Sequence, residues 1–177
     1  MVHYRLRVFA VFIAALCLCV VAPSRGADVC QTIAGATSKI WSIPVHIYAT
    51  TQIGASTKTS EVIYTGGANG PIYVMVNGRW RRSTLTVAQM KSQEEARDKS
   101  HQTCQYVRDD AVNGEAAAVY TSHADMGDDV KANSTIWISK SRNVPLKTES
   151  DTIAAGDKTH TSVRYDYSNV QAPSGVK

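Results

Sequence analysis

The feature that most constrains the fold is a series of short stretches in which apolar and polar residues alternate, joined by short turns. An alternation of period two places successive side chains on opposite faces of a β-strand. Two of the connections are Asn–Gly pairs, at 77–78 and 113–114, a pairing typical of two-residue hairpin turns because both positions need positive φ. Parallel strands need crossover connections of about a dozen residues or more. The pattern therefore predicts one curved antiparallel sheet of seven or more strands.

The hairpin at 77–78 also predicts which side chains share a face. A two-residue loop pairs Met75 with Trp80 and Tyr73 with Arg82. Tyr73, Met75 and Trp80 are therefore expected on one face of the sheet.

Two segments have helical periodicity instead. From Asp28 to Lys39, apolar residues recur at intervals of three and four, and Asp28 is placed to act as the N-cap. The second segment, 86–99, opens with Thr86-Val-Ala-Gln89, the pattern of a capping box. Its apolar face is thin, which favours a helix that lies over the sheet as a lid. The overall expectation is an α+β half-barrel packed on an N-terminal helix and an inserted helix.

The N-terminus has the order of a secretory signal peptide. Arg5 and Arg7 precede an apolar run of about 15 residues, and Pro23-Ser-Arg-Gly26 follows with small residues before Ala27. The run is shorter than the roughly 20 residues that span a bilayer. We therefore expect residues 1–26 to be a cleaved signal, 27–168 to form a single domain, and 169–177 to be a polar tail. The mature chain is expected to be exported, to the periplasm or beyond, and to have no membrane span.

Cleavage changes what the charge implies. The whole chain has 19 basic and 15 acidic residues, and losing Arg5, Arg7 and Arg25 leaves 16 against 15. A net charge of about +1 on 151 residues does not indicate a nucleic-acid partner. A monomer is expected.

Two cysteines, Cys30 and Cys104, remain after cleavage. In an oxidising compartment they can form one disulfide, closing a loop of about 75 residues. A free thiol or a metal ligand is the alternative, since His101 lies three residues before Cys104.

No arrangement of residues indicates catalysis. The histidines lack metal-ligand spacing, and His123 with Asp125 is better interpreted as a strand followed by a solvated acidic turn. The sequence lacks a nucleophile elbow and a phosphate-binding loop. Asp109 and Asp110 are adjacent in a strand and would point to opposite faces. We therefore predict no catalytic residues, no metal site, no cofactor and no enzymatic activity.

Residues 136–147, Ile-Trp-Ile-Ser-Lys-Ser-Arg-Asn-Val-Pro-Leu-Lys, resemble an element of the LolA/LppX-like periplasmic carriers. In that family a strand turns through a Gly-Leu-Pro-Leu-like corner into the next strand. Here Asn143 replaces the glycine, a mild change because Asn tolerates the left-handed conformation. The order of helices and strands is similar too. The resemblance implies an unclosed half-barrel that holds lipid or acyl chains against helices on its concave side.

The hypothesis from these observations is a non-catalytic periplasmic carrier for a hydrophobic ligand such as a lipid or acyl chain. Six side chains are expected to line an apolar concave wall: Tyr73, Met75, Trp80, Trp137, Val163 and Tyr165. The same residues could instead form an ordinary core. In that case, the protein would be a secreted or envelope interaction factor with a protein partner and no ligand.

The signal peptide leads to a direct prediction. When the full chain is produced in a bacterium with an export pathway, the recovered protein should begin at or near Ala27. N-terminal sequencing and intact mass would measure this. A protein that retains residues 1–26 and partitions with membranes would contradict the interpretation.

Overall fold

The computed structural model describes residues 26–67, 69–97, 101–127 and 129–176, so the predicted signal peptide, except for Gly26, lies outside the described residues. The described chain has two helices, α1 and α2, a short 3-10 turn and nine strands, β1 to β9. The helical segments are α1 Gly26–Ser38, the turn Lys39–Trp41, and α2 Val87–Arg97. The first strands are β1 Val45–Ile53, β2 Ser56–Tyr64, β3 Ile72–Val76 and β4 Arg79–Arg82. The others are β5 His101–Val112, β6 Glu115–Asp125, β7 Lys131–Ser139, β8 Pro145–Ala154 and β9 Asp157–Asp166.

The nine strands form one open, curved antiparallel sheet in the order β4-β3-β2-β1-β9-β8-β7-β6-β5. The prediction of an α+β half-barrel with seven or more strands is confirmed. Both Asn–Gly pairs adopt positive φ at each position, Asn77 51° with Gly78 73° and Asn113 51° with Gly114 83°. Asn143 also has a φ of 52°, so it takes the conformation expected of the glycine it replaces. None of the helices in these ranges is long and apolar enough to cross a membrane.

Strand register divides the side chains between two faces, which we call the helix face and the open face. Val45, Tyr64 and Ile72 are neighbours across β1, β2 and β3, and they are buried together with residues of α2. They belong to the helix face. Their chain neighbours, such as Ile63 and Tyr73, point the other way and belong to the open face.

The core on the helix face is divided into two clusters. In the first, α1 packs on β5 and β7, and its buried residues are Val29, Ile33, Ala36, Cys104, Ile136 and Ile138. In the second, the 3-10 turn and α2 pack on β1, β2 and β3 through Ile40, Val45, Tyr64, Ile72 and Val87. Between the clusters, Ala49, Thr148 and Val163 are only half-buried. On the helix face, the helices therefore cover the strands near the two edges of the sheet more fully than the strands in its middle.

The N-terminal helix is linked covalently to an edge of the sheet. Cys30 in α1 and Cys104 in β5 form the predicted disulfide, with their Cα atoms 5.2 Å apart. The helix begins at Gly26, so the prediction that Asp28 is the N-cap was wrong. Asp28 lies in the first turn instead, where its negative charge is favourable next to the positive end of the helix dipole.

The start of α2 follows the predicted capping box. The backbone N–H of Thr86 donates to Gln89 Oε1 at 2.9 Å, and the N–H of Gln89 donates to Thr86 Oγ1 at 3.2 Å. Two N–H groups that the helix itself cannot satisfy are thereby paired. Val87 is buried and Met90 half-buried against the second cluster, as expected for a thin apolar face.

The disulfide should contribute a large part of the stability. The two cysteines are 74 residues apart, and closing a loop of that length stabilises the folded state by about 4 kcal/mol. A variant with Cys30→Ala and Cys104→Ala should lose that amount in chemical denaturation. Adding a reductant to the native protein should have a similar effect and should leave the double variant unchanged. Equal stability of the native protein and the variant would contradict the prediction.

Candidate functional site

The six predicted ligand contacts do not line one wall. Register places Tyr73, Met75 and Trp80 on the open face, together with Trp137. Val163 and Tyr165 lie on the helix face, because Tyr165 pairs with Ile47 and packs against the second core cluster. The expectation of a single apolar wall was therefore wrong, since residues of opposite parity on neighbouring strands point to opposite sides of a sheet.

Trp80 belongs to a cluster on the open face that is centred on His46. The His46 ring lies 5.7 Å from the Trp80 ring, centroid to centroid, and 4.0 Å from the Tyr48 ring. Its Nε2 is 3.1 Å from Glu61 Oε2 and its Nδ1 is 2.9 Å from the Tyr48 hydroxyl. A hydroxyl, an imidazole and a carboxylate also meet in catalytic triads. Here, however, aromatic rings pack on the imidazole, and the contacts tie β1, β2 and β4 together.

Two cation–π pairs lie side by side on the open face. Lys147 Nζ is 4.8 Å from the centroid of the Trp137 ring, and Arg164 Cζ is 4.1 Å from that of Tyr48. Lys147 and Arg164 are directly paired across β8 and β9. Trp137 Nε1 donates to Asp110 Oδ2 at 3.0 Å, and this hydrogen bond is the largest cause that lowers the pKa of Asp110. Trp137 is thus engaged in polar contacts on the open face.

A polar groove of about 450 Å³ crosses strands β5 to β9. Its open-face lining is Thr103, Gln105, Thr121, His123, Asn133, Thr135, Glu149, Asp151 and His160. Hydroxyl, amide, imidazole and carboxylate groups of this kind do not suit an apolar ligand.

His160 holds two carboxylates of the groove together. Its Nδ1 is 2.8 Å from Asp151 Oδ1 and its Nε2 is 3.1 Å from Glu149 Oε2. A neutral imidazole has only one N–H, so contact with both carboxylates favours the imidazolium. The hydrogen bond with Asp151 accordingly raises the pKa of His160, and Glu149 adds to the effect. Burial opposes ionisation of Glu149, but hydrogen bonds from Lys147 and Ser162 outweigh it and lower the pKa of that carboxyl.

A second hollow, of about 430 Å³, lies on the helix face near the turn between β7 and β8. We call it the tyrosine hollow. Its lining is Tyr106, Asp109, Ala118, Tyr120, Ile138, Ser139, Lys140 and Asn143. The rings of Tyr106 and Tyr120 meet edge to face with centroids 5.8 Å apart, and Ile138 and Tyr120 also contact the core cluster under α1. The hollow therefore continues the first core cluster outward.

A β-bulge creates this aromatic pair. Between Tyr106 and Arg108 the register of β5 against β6 shifts by one residue, which leaves Val107 without a partner and puts Tyr106 opposite Tyr120. Without the shift, the two-residue turn at 113–114 would place Tyr106 opposite Thr121, on the open face. Tyr106 keeps 48% of its surface exposed, a large fraction for an aromatic side chain beside a core.

Charged groups at the rim of the tyrosine hollow form a chain. The Tyr106 hydroxyl donates to Asp109 Oδ1 at 2.9 Å, and Lys140 Nζ lies 2.6 Å from Asp109 Oδ2. The Lys140 bond is the largest cause that lowers the pKa of Asp109, and the same bond raises the pKa of Lys140. The hollow thus combines aromatic and aliphatic walls with one ion pair at its edge.

None of the six predicted contacts lies in the tyrosine hollow. Sequence analysis missed Tyr106 and Tyr120 because the bulge that joins them breaks the regular alternation. The available signal was weak: both tyrosines occur in strands flanking an Asn–Gly turn. Within the described ranges, no group of three or more His, Cys, Asp or Glu side chains is arranged to hold a metal ion.

No family model matches the sequence, and no curated protein matches it. Solved structures are similar at low identity. One is MucB in complex with MucA(peri), with 13% identity, a TM-score of 0.49, and coverage of 85% of this chain and 60% of that one. This chain thus spans less than two thirds of that MucB chain.

Two further structures carry names from the family that residues 136–147 resemble. An outer membrane lipoprotein-sorting protein domain from Vibrio parahaemolyticus has 9% identity and a TM-score of 0.31, with coverage of 83% of this chain and 94% of that one. The LolA superfamily protein NE2245 from Nitrosomonas europaea has 11% identity and a TM-score of 0.28, with coverage of 80% and 91%.

The groove makes stability depend on pH through His160. The pKa of His160 is raised above the value of about 6.5 in an unfolded chain. Its stabilisation is therefore fully present below that pH and is lost as the pH rises through the folded-state pKa. The melting temperature of the native protein should therefore fall as the pH rises above about 6.5. In the His160→Gln variant this fall should be smaller, because the variant has no imidazolium to lose.

His123→Gln is the matched control, because the Nδ1 of His123 contacts the amide of Asn133 at 2.7 Å and not a carboxylate. Thermal denaturation at a series of pH values measures both variants. An identical slope for the native protein and His160→Gln would show that the imidazolium does not stabilise the groove.

Proposed function

We propose that the protein is a non-catalytic carrier or binding protein of the cell envelope, formed by the mature chain from Ala27, that holds an apolar group in the tyrosine hollow. The observation that carries the proposal is a hollow next to the core that has a half-exposed aromatic wall, an aliphatic floor and an ion pair at its rim. Tyr106 and Tyr120 form this wall, and Ala118 and Ile138 form the floor. The hollow has a volume of about 430 Å³ and is open to solvent on one side, so it would cover only part of a ligand.

The rim suits a ligand with one polar end. Lys140 and Asn143 are at the turn between β7 and β8, where Lys39 Nζ also donates to the carbonyl of Arg142 at 3.3 Å. A carboxylate or phosphate could exchange with Asp109 for Lys140, while the chain attached to it contacts the tyrosines. The resemblance of residues 136–147 to LolA/LppX-like carriers supports the same ligand class, because it implies acyl-chain binding beside helices.

Two of the six predicted contacts lie on the same face of the sheet as the hollow. Val163 and Tyr165 lie on the helix face, as the hollow does, and Val163 lies in the half-covered middle of that face. Ile136, buried under α1, and Thr148 lie between Tyr120 of the hollow and Val163, so a group held in the hollow would not contact Val163 or Tyr165 directly. Trp80 and Trp137 lie on the open face and would not contact it.

Filling the hollow should abolish uptake. Ala118→Trp places an indole between the tyrosines and Ile138, and we expect its affinity for a fluorescent fatty acid such as cis-parinaric acid to fall by about tenfold or more. The measurement is a fluorescence titration in solution, without vesicles. Mass spectrometry of the purified native protein would show whether a lipid remains bound.

Ala124→Trp is the matched control, because Ala124 is also a half-buried alanine on the helix face of β6 but lies outside the hollow. It should leave uptake unchanged. Trp80→Ala, on the open face, should also have no effect. The carrier proposal fails if the native protein does not take up the probe, or if both tryptophan variants lower uptake equally.

A second candidate is a protein-interaction factor, favoured by the long edge strand β5. This strand spans 12 residues with β6 on one side only, and Tyr106 and Val107 on it are 48% and 41% exposed. An extended segment of a partner could pair with such an edge. Val107→Lys should weaken that association in a pull-down from envelope extract, whereas it should leave fatty-acid uptake unchanged.

A further inference from the structure

The edge strand β4 is the most positively charged strand of the sheet. Its sequence is Arg-Trp-Arg-Arg, and its three arginine side chains are exposed. No acidic residue occurs in the sequence between Glu61 and Glu94, and the charged residues of that stretch are Arg79, Arg81, Arg82 and Lys91. We call Arg79, Arg81 and Arg82 the arginine edge.

The arginine edge differs from the other arginines whose side chains the structure describes. Arg108 and Arg142 pair with carboxylates, and Arg164 packs over the ring of Tyr48. Within the described ranges, no ion pair or cation–π contact involves the arginine edge. Glu61 lies two strands away, on β2, and already contacts an imidazole at 3.1 Å. The described part of the chain therefore leaves these three positive charges without a carboxylate partner.

The backbone of β4 offers hydrogen bonds along its outer side. In the described sheet β4 is the last strand, with β3 on one side only. Backbone groups of alternate residues point toward the partner strand in an antiparallel pair. The N–H of Ser83 donates to the carbonyl of Ile72 at 2.7 Å, so the backbone groups of Arg81 also face β3. Those of Trp80 and Arg82 face outward, and together they present two donors and two acceptors.

The three arginines lie on both faces of the sheet. Arg81 pairs with Val74 and lies on the helix face, as does Arg79, whereas Arg82 pairs with Tyr73 on the open face. An extended peptide beside β4 has the same alternation, so its side chains would also reach both faces. A carboxylate on either face would meet a guanidinium, whose planar N–H groups suit bidentate hydrogen bonds.

We propose that the arginine edge binds an acidic, extended peptide segment of a partner protein, which adds to β4 as a further strand. Main-chain hydrogen bonds to the outward groups of Trp80 and Arg82 would hold the peptide, and its carboxylates on the arginines would select acidic segments. The site lies apart from the tyrosine hollow and from the edge strand β5, so it rests on neither candidate function.

Other anionic or extended partners fit the edge less well. Phosphates of a nucleic acid or a bilayer can accept hydrogen bonds from the outward N–H groups, but they cannot donate to the outward carbonyls. A surface that lies on one face of the sheet would also miss the arginines of the other face. A second copy of β4 would bring three more arginines, and like charges on edge strands oppose pairing. An acidic peptide supplies both the carboxylates and the paired backbone.

The probe is the fluorescein-labelled peptide Thr-Glu-Glu-Val-Glu-Glu-Thr, and fluorescence anisotropy measures its binding to the mature protein. One control peptide has glutamine in place of every glutamate, which removes the charge. The other keeps the glutamates but carries N-methyl groups on the valine and on the residue after it. Because successive N–H groups of a strand point to opposite sides, this change blocks pairing along both sides of the peptide.

The test variant replaces the whole arginine edge with glutamine: Arg79→Gln, Arg81→Gln and Arg82→Gln. The matched control variant removes the same charge from three exposed lysines near other turns: Lys58→Gln, Lys131→Gln and Lys158→Gln. Circular dichroism and melting temperature verify that both variants fold.

The native protein and the control variant should bind the acidic peptide, and the test variant should bind it about tenfold more weakly or worse. Added salt should weaken the binding, because the charges are exposed. Both control peptides should bind the native protein more weakly than the acidic peptide does.

Four results overturn the proposal. They are no binding of the peptide by the native protein, an equal loss in the test and control variants, unchanged binding of the N-methylated peptide, and tighter arginine-dependent binding to phosphatidylglycerol vesicles or an oligonucleotide than to the peptide. The test variant should take up fatty acid as the native protein does, and Val107→Lys should leave peptide binding unchanged. Failure at the arginine edge is therefore distinguishable from failure of either candidate function.

Discussion

The packing of α1 on strands β5 to β7 is the contact on which the rest of the arrangement depends. An open sheet must bury one face, and the disulfide from Cys30 to Cys104 holds the helix over one side of the sheet. The 3-10 turn and α2 then cover the other side. The residues buried under α1 and those buried under the 3-10 turn and α2 form two separate clusters. The middle of the helix face therefore stays half-buried, and the tyrosine hollow extends outward from the first cluster.

The open face is stabilised by polar and aromatic pairs across strands, together with a few buried residues such as Val119 and Tyr73, which are 0% and 7% exposed. Lys147 with Trp137 and Arg164 with Tyr48 form two adjacent cation–π contacts, and His160 joins two carboxylates in the groove. Such cross-strand pairs contribute about 0.2–1 kcal/mol each, less than burial under a helix. They explain why several aromatic residues lie on the face that no helix in the described residues covers.

The tyrosine hollow has a local physical cause. The tyrosine hollow depends on a local irregularity of β5 next to a packed core, and it suits an apolar group with one charged end.

Sequence alone determined the features that are local. Alternation of period two identified the strands, the Asn–Gly pairs set two hairpins, Thr86 and Gln89 set the start of α2, and two cysteines left one possible bridge. The tertiary structure decided which strands lie side by side and at what height. The bulge at Val107 turned Tyr106 to the helix face, and the sheet order separated Trp80 and Trp137 from Val163 and Tyr165. The alternation of apolar and polar residues shows that neighbouring side chains point to opposite faces of the sheet. Which face the helices cover depends on the pairing of segments that are far apart in the chain, because each buried cluster is formed by several such segments.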